Sequence, residues 1–151
     1  MPEEFFVREY MTTPATVLSQ TNTLLDAALL FRRTRFRHLP IVDDGRLVGI
    51  LSDRDVTRLA PSMLGKMSPE EYNEVFEKTP LEKAMTRAVI TVSPDTRVLE
   101  AAALLHQKKV GCLPVVEDAR LVGIITITDM LGLLLQLLGC GKTSSEELEG
   151  A

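Results

Sequence analysis

Apolar and polar positions along the chain change period in a fixed order, and the order occurs twice. Residues 15–18 form a short apolar run that predicts a strand. Thr23-Leu24-Leu25-Asp26 then offers a capping box to a helix running to about residue 35. Leu39-Pro40-Ile41-Val42 predicts a second strand, Asp43-Asp44-Gly45 a turn, and residues 47–51 a third strand. A helix opens at Ser52-Asp53-Arg54-Asp55. Further on, Val89-Ile90-Thr91-Val92 predicts a strand, residues 98–108 a helix, and Leu113-Pro114-Val115-Val116 another strand. Glu117-Asp118-Ala119 makes the turn, residues 121–125 return as a strand, and Thr126-Ile127-Thr128-Asp129 opens the last helix.

A shift of 74 residues lays 11–55 on 85–129 without a gap, and 17 of the 45 pairs are identical. Met11-Thr12 falls on Met85-Thr86, Leu39-Pro40 on Leu113-Pro114, residues 46–50 on 120–124, and Asp55 on Asp129. The chain therefore holds two copies of one β-α-β-β-α unit. Each copy is near the lower size limit for an independent core, so two copies packed sheet to sheet supply the burial that one lacks. The fold class expected is α/β (α+β), with repeat 1 at 7–59, a helical linker at 60–80, repeat 2 at 81–138 and a frayed tail at 139–151. The linker has two helix starts, Ser68-Pro69-Glu70-Glu71 and Thr79-Pro80-Leu81-Glu82.

Composition narrows the classes without changing this picture. With 45% apolar and 25% charged residues the chain is neither disordered nor collagen-like. Its most apolar stretch, 131–138, is interrupted by Gly132 and Gln136 and is shorter than the ~18–20 residues of a membrane span. The start, Met1-Pro2-Glu3-Glu4, is acidic where a signal peptide is basic, so a cytoplasmic location is expected. A net charge of −4 argues against nucleic acid as partner. Cys112 and Cys140 form no spaced metal set with His38 and His106 and are expected as free thiols.

The order Met-Thr, Leu-Pro-Ile-Val-Asp-Asp, Gly-Ile-Leu-Ser-Asp-Arg-Asp, repeated as Met-Thr, Leu-Pro-Val-Val-Glu-Asp, Gly-Ile-Ile-Thr-Ile-Thr-Asp, resembles a tandem CBS-domain pair, the Bateman module, from about residue 7 to 138. The linker helix without a catalytic domain resembles stand-alone bacterial CBS proteins of the acetoin-utilisation type. The resemblance implies a pseudo-two-fold pair with two shared clefts. It also implies a ligand such as AMP, ADP, ATP or S-adenosylmethionine, and regulation in place of catalysis.

Thr126-Ile127-Thr128-Asp129 has its own chemistry. Two hydroxyls and a carboxylate stand where a strand enters a helix, and there the free backbone N–H groups and the helix dipole favour a phosphate. The carboxylate can accept both ribose hydroxyls. The competing reading is a plain helix cap, which needs no ligand. Across the main cleft from Thr126, Thr128 and Asp129 the resemblance places Thr12, Ala15 and Thr16, then Phe36, Arg37, His38 and Pro40. Arg37 suits phosphate oxygens, whereas His38 is either a second donor or a satisfied histidine at a strand edge. Phe36 divides between core and adenine wall. The second cleft would join Ser52, Arg54 and Asp55 to Val89, Ile90, Val110, Gly111, Cys112 and Pro114. Because Gly111-Cys112 stands where the first copy has Arg37-His38, this cleft is expected to be the weaker one.

Arg37 with His38 suits one or two phosphates better than three, and magnesium enters only by bridging phosphates. Gly139-Cys140-Gly141-Lys142-Thr143 ends like a P-loop, but position 136 is Gln136 and no strand precedes it. No nucleophile-base set, paired catalytic carboxylates or metal ligands appear, so no enzyme is expected and no catalytic residue is named. The closing helix from Met130 to Leu138 is apolar nearly all round and is expected to bury a face in a homodimer. Two functions remain open from sequence: a nucleotide sensor that acts on an unidentified enzyme or transporter, and a ligand-independent dimeric scaffold.

Overall fold

Each repeat is built on one β-hairpin. In a computed structural model that describes residues 5–64 and 68–140, apart from the side chains of 60–64 and 140, β2 (His38–Asp43) runs antiparallel to β3 (Arg46–Ser52). β4 (Cys112–Glu117) pairs in the same way with β5 (Arg120–Thr126). Both hairpins turn through two left-handed residues, Asp44 and Gly45 (φ 51° and 80°) and Asp118 and Ala119 (φ 52° and 66°), as the strand twist favours in a two-residue loop. Both also shift register at the same place, Ile41/Val42 and Val115/Val116. The hairpins meet at their turn ends, where Arg46 pairs with Arg120 and the Arg120 guanidinium donates to the Asp44 carbonyl at 2.9 Å. One five-stranded sheet of order β1-β2-β3-β5-β4 results, with β1 being Leu18–Ser19. The two half-sheets are thus in contact edge to edge at their tips.

Helices begin where the caps predict. Thr23 accepts from the Asp26 N–H and Asp26 accepts from the Thr23 N–H, starting α2 (Leu24–Arg33). Ser52 and Asp55 do the same at α3 (Asp53–Leu64), and Ser68 caps α4 (Pro69–Lys78). Arg97 supplies no side-chain cap to α5 (Val98–Lys108), which ends on Lys109 in the left-handed region. α6 (Ile127–Leu135), capped by Thr126 and Asp129, continues into a π-turn over Gln136–Cys140. Among the described residues no helix is long and apolar enough to cross a membrane.

The two repeats exchange the segments that precede them. α1 (Val7–Tyr10) belongs by sequence to repeat 1, yet Val7 is fully buried among Ala101, Leu105, Leu113, Val115 and Ile125 of repeat 2. Conversely Phe76 of the linker and Leu81 and Met85 at the start of repeat 2 are buried against Leu24, Ile41 and Leu51 of repeat 1. Thr12 forms a bridge with Ile124, and Thr86 forms the matching one with Ile50. These crossings depend on Gly123 and Gly49. A Cβ at Gly123 would lie 2.9 Å from the Thr12 carbonyl oxygen, and one at Gly49 would lie 3.0 Å from that of Thr86. The shared Met-Thr and Gly of the repeat are one packing device used twice.

This exchange corrects two expectations. Within the segment 60–80, Phe76 of α4 is buried in the core of the first half, as is Leu81 just beyond it, while Thr79-Pro80-Leu81-Glu82 opens a single 3-10 turn at Leu81–Lys83. The first strand of each copy is also shorter than the periodicity suggests: only Leu18 and Ser19 pair with β2, and Val92 makes one isolated bridge to Val115. The chain between Thr12 and Leu18 passes from one half to the other and joins neither ladder. Residues 1–4, 65–67 and 141–151 of the expected start, linker and tail, and the Cys140 thiol, lie outside the described residues.

Candidate functional site

The exchange brings Thr12 of the first repeat beside α6 of the second. Thr12 Oγ1 donates to Asp129 Oδ1 at 3.4 Å. Asp129 Oδ2 accepts from the Thr126 N–H at 2.9 Å and from Thr126 Oγ1 at 3.1 Å, and the Asp129 N–H donates to Thr126 Oγ1 at 3.2 Å. Both readings of the motif therefore have physical content. Oδ2 is committed to the cap, whereas Oδ1 has one long bond, and Asp129 lines a cavity.

That cavity, about 550 Å³, is lined by residues of both repeats. Thr12, Pro14 and Thr16 line it from the crossing segment, and Arg35, Phe36, Arg37 and His38 from the loop entering β2. Pro40 and Ile124 contribute from the strands, and Thr126, Ile127, Thr128 and Asp129 from the start of α6. Its volume lies in the range of small-molecule sites, and its lining includes one carboxylate, Asp129, and two arginines, Arg35 and Arg37. Phe36 is 45% exposed and Ile127 48%, so both leave apolar surface open at the cavity.

The loops entering β2 and β4 are tied to the following helices in matching fashion. The Asp53 N–H donates to the Arg37 carbonyl at 3.0 Å, and the Ile127 N–H to the Gly111 carbonyl at 3.2 Å. The Arg37 guanidinium reaches Asp53 only at 3.8 Å and stays exposed. The His38 imidazole packs over Gly111, where an added Cβ would come within 2.8 Å of Cε1. Burial lowers the His38 pKa below 6.5; Asp53 and Asp55 pull it back up, while Arg54 and Arg37 push it further down. The imidazole accordingly favours its neutral form.

Of the main-cleft set, all the expected residues except Ala15 line the cavity. The second-cleft set is dispersed. Gly111 and Cys112 line the main cavity beside His38, because the loops entering β2 and β4 converge between the repeats and do not serve one cleft each. Ile90 and Val110 pack on the core of repeat 2, Pro114 is fully buried in β4, and Arg54 is exposed on α3. Val89 lines a separate groove of about 210 Å³ with Leu47, Arg87 and Thr91. Ser52 and Asp55 complete their capping box. Burial pushes the Cys112 thiol up to about 12, so it presents a small apolar surface and not a nucleophile. Sequence reasoning missed Arg35, whose signal was four arginines at 32, 33, 35 and 37 in an acidic chain.

Two intertwined β-α-β-β-α repeats with a ligand-sized cavity between them define a paired-repeat binding module. The CBS domain model matches residues 7–62 and 81–136, and the chain belongs to the CBS-domain family as a tandem pair. A solved structure from Vibrio cholerae, described as the acetoin utilization protein AcuB, is 37% identical with a TM-score of 0.76, covering 93% of this chain and 97% of its own. CBSX2 in complex with AMP is 28% identical with a TM-score of 0.75, covering 89% of this chain and 98% of its own. The CBS pair of MJ0100, in complex with 5′-methylthioadenosine and S-adenosylmethionine, is 30% identical with a TM-score of 0.70, covering 87% and 97%.

Proposed function

We propose that the chain is a regulatory module that senses an adenosine-containing ligand, AMP, ADP, ATP or S-adenosylmethionine, in the cavity between its repeats. The observation that carries this reading is the composition of that one cavity. Among its lining residues, Asp129 and Thr12 have groups that can bond ribose hydroxyls, Phe36 and Ile127 apolar surface for the faces of a base, and Arg37 a cation for a phosphate. The AMP and S-adenosylmethionine complexes of similar CBS pairs support the ligand class. The cavity walls come from both repeats, so a ligand that grips both resets their relative positions. An unidentified protein, an enzyme or transporter in the cytoplasm, then reads that change, and the chain performs no chemistry of its own.

The exposed face of the last helix supports a homodimer. Leu131, Leu134, Leu135, Leu137 and Leu138 are 44–70% exposed, without a charge among them. A face of this kind is complementary to itself and suits a second copy across a two-fold axis. Arg54, Thr57 and Arg58 are exposed on the described part of the matching helix α3. Sedimentation of the parent and of Leu131→Glu with Leu135→Glu tests it: a dimer converted to monomer is expected, and a parent that sediments as a monomer contradicts it. The scaffold alternative is separated from the sensor by calorimetry. If Asp129→Ala melts lower yet binds nucleotide like the parent, the motif is a cap and the sensor reading loses its support.

A further inference from the structure

Within the adenosine-binding reading, on which this inference rests, we propose that the adenosine group and a proton on His38 exclude each other, so that pH regulates occupation of the cavity. His38 lines the cavity, whereas the other histidine, His106, is exposed on α5 and does not. The polar edge of the His38 ring is turned toward the other repeat. A Cβ on Gly111 would lie 2.8 Å from Cε1, 3.4 Å from Nδ1 and 3.7 Å from Nε2. Among the described residues neither ring nitrogen has a hydrogen-bond partner, and neither is sealed from solvent.

The groups around the ring do not take the place of that solvent. Arg37, next in the chain, and Arg35, which lines the same cavity, are cations. From α3, Asp53 and Asp55 attract a charged imidazole and Arg54 repels it. Asp55 is already bonded to the Ser52 N–H at 2.8 Å, and Asp53 reaches the Arg37 guanidinium at 3.8 Å. From β4, Cys112 has its thiol pushed up to about 12 and carries no charge. From α6, Asp129 lines the cavity with Oδ2 in its cap and Oδ1 accepting from Thr12. Thr12, Pro14 and Thr16 of the crossing segment are uncharged. Burial outweighs each of these charges and opposes protonation.

A protonated imidazole has two N–H donors, and here only solvent is present to accept them. An uncharged group that fills the cavity removes solvent and brings no compensating charge, so the imidazolium loses more than the neutral ring does. The neutral ring needs one donor and one acceptor, which the polar edges of a nucleoside can supply. By linkage the ligand binds the neutral form more tightly. Its affinity then falls as pH falls below 6.5, where His38 takes up its proton.

Isothermal titration with adenosine at about pH 7.5 and about pH 5.5, on the parent and on His38→Gln, tests this. Adenosine is uncharged over that range, whereas a phosphate would itself attract the imidazolium. Expected is binding weaker at the lower pH by about threefold or more in the parent and by less than about twofold in His38→Gln. Titration of the parent near pH 6 in two buffers of different ionisation heat should show protons released on binding, a readout that needs no variant. The inference is overturned if the parent binds equally or more tightly at the lower pH, if His38→Gln keeps the parent's dependence, or if protons are taken up. In those outcomes adenosine binding itself still stands. If adenosine gives no heat at either pH the inference falls, and AMP titrated at about pH 7.5 then decides whether the reading beneath it falls as well.

Discussion

Replacing Gly123 by alanine puts a methyl carbon 2.8 Å from Met11 Sδ and 2.9 Å from the Thr12 carbonyl oxygen. Ordinary contact begins near 3.4 Å, so about half an ångström must be found. Met11 can turn, but Thr12 is held by two backbone bonds, its N–H to the Ile124 carbonyl at 2.8 Å and its carbonyl from the Ile124 N–H at 3.0 Å. Overpacking of this kind costs about 1–3 kcal/mol, from which the lost freedom of the unfolded glycine returns about 0.4–1 kcal/mol. The net cost is about 0–2.6 kcal/mol, so at roughly 2–4 °C per kcal/mol the melting temperature is expected to fall by up to about 10 °C. Gly49→Ala is the matched control, with Met85 Sδ at 2.6 Å and the Thr86 carbonyl oxygen at 3.0 Å. It should destabilise similarly. Thr12 lines the cavity and Thr86 does not, so only Gly123→Ala should also weaken nucleotide binding, measured by calorimetry well below either melting temperature. A Gly123→Ala protein that melts above the parent refutes the packing argument. Equal loss of affinity in both variants refutes the link between the crossing segment and the cavity.

Three further outcomes are expected. Asp129→Ala and Asp26→Ala each remove a capping carboxylate and should each cost about 0.5–2 kcal/mol in thermal or urea melts, but only Asp129→Ala should also lower nucleotide affinity, by about tenfold or more. Ala119→Gly should raise stability by up to about 1 kcal/mol in urea melts, because Ala119 holds φ 66° in a turn where its counterpart is Gly45; an unchanged midpoint would count against strain there. His38 has a folded pKa below its unfolded 6.5, so the unfolded chain binds the proton first. Its contribution to stability is fully present above pH 6.5 and is lost as pH falls from 6.5 through the folded value; His38→Gln should flatten that part of the melting-temperature profile, and a parallel profile would contradict it.

Local signals carried much of the fold. The caps at Thr23, Ser68 and Thr126 and the hairpin turns at Asp44-Gly45 and Asp118-Ala119 act over three or four residues, and the chain places them where the pattern does. The repeat made the pairing of halves legible, because identical residues require equivalent surroundings. Its meaning at Met11-Thr12 and Gly123 was not legible, since the contact joins residues more than a hundred positions apart and a glycine in a strand has several explanations. The same limit applied to Gly111 and Cys112: that their loop meets the His38 loop depends on how the halves are set together. Arg35 was passed over because the pattern runs the preceding helix to about residue 35, although the local density of arginines was visible.

The most direct test is the stoichiometry of binding. Calorimetric titration of the purified chain with AMP, ATP and S-adenosylmethionine should give binding in the micromolar range, near one ligand per chain, for at least one of them, and it should be weakened by Asp129→Ala. No heat with any of the three at ligand concentrations up to about a millimolar would contradict an adenosine site between the repeats.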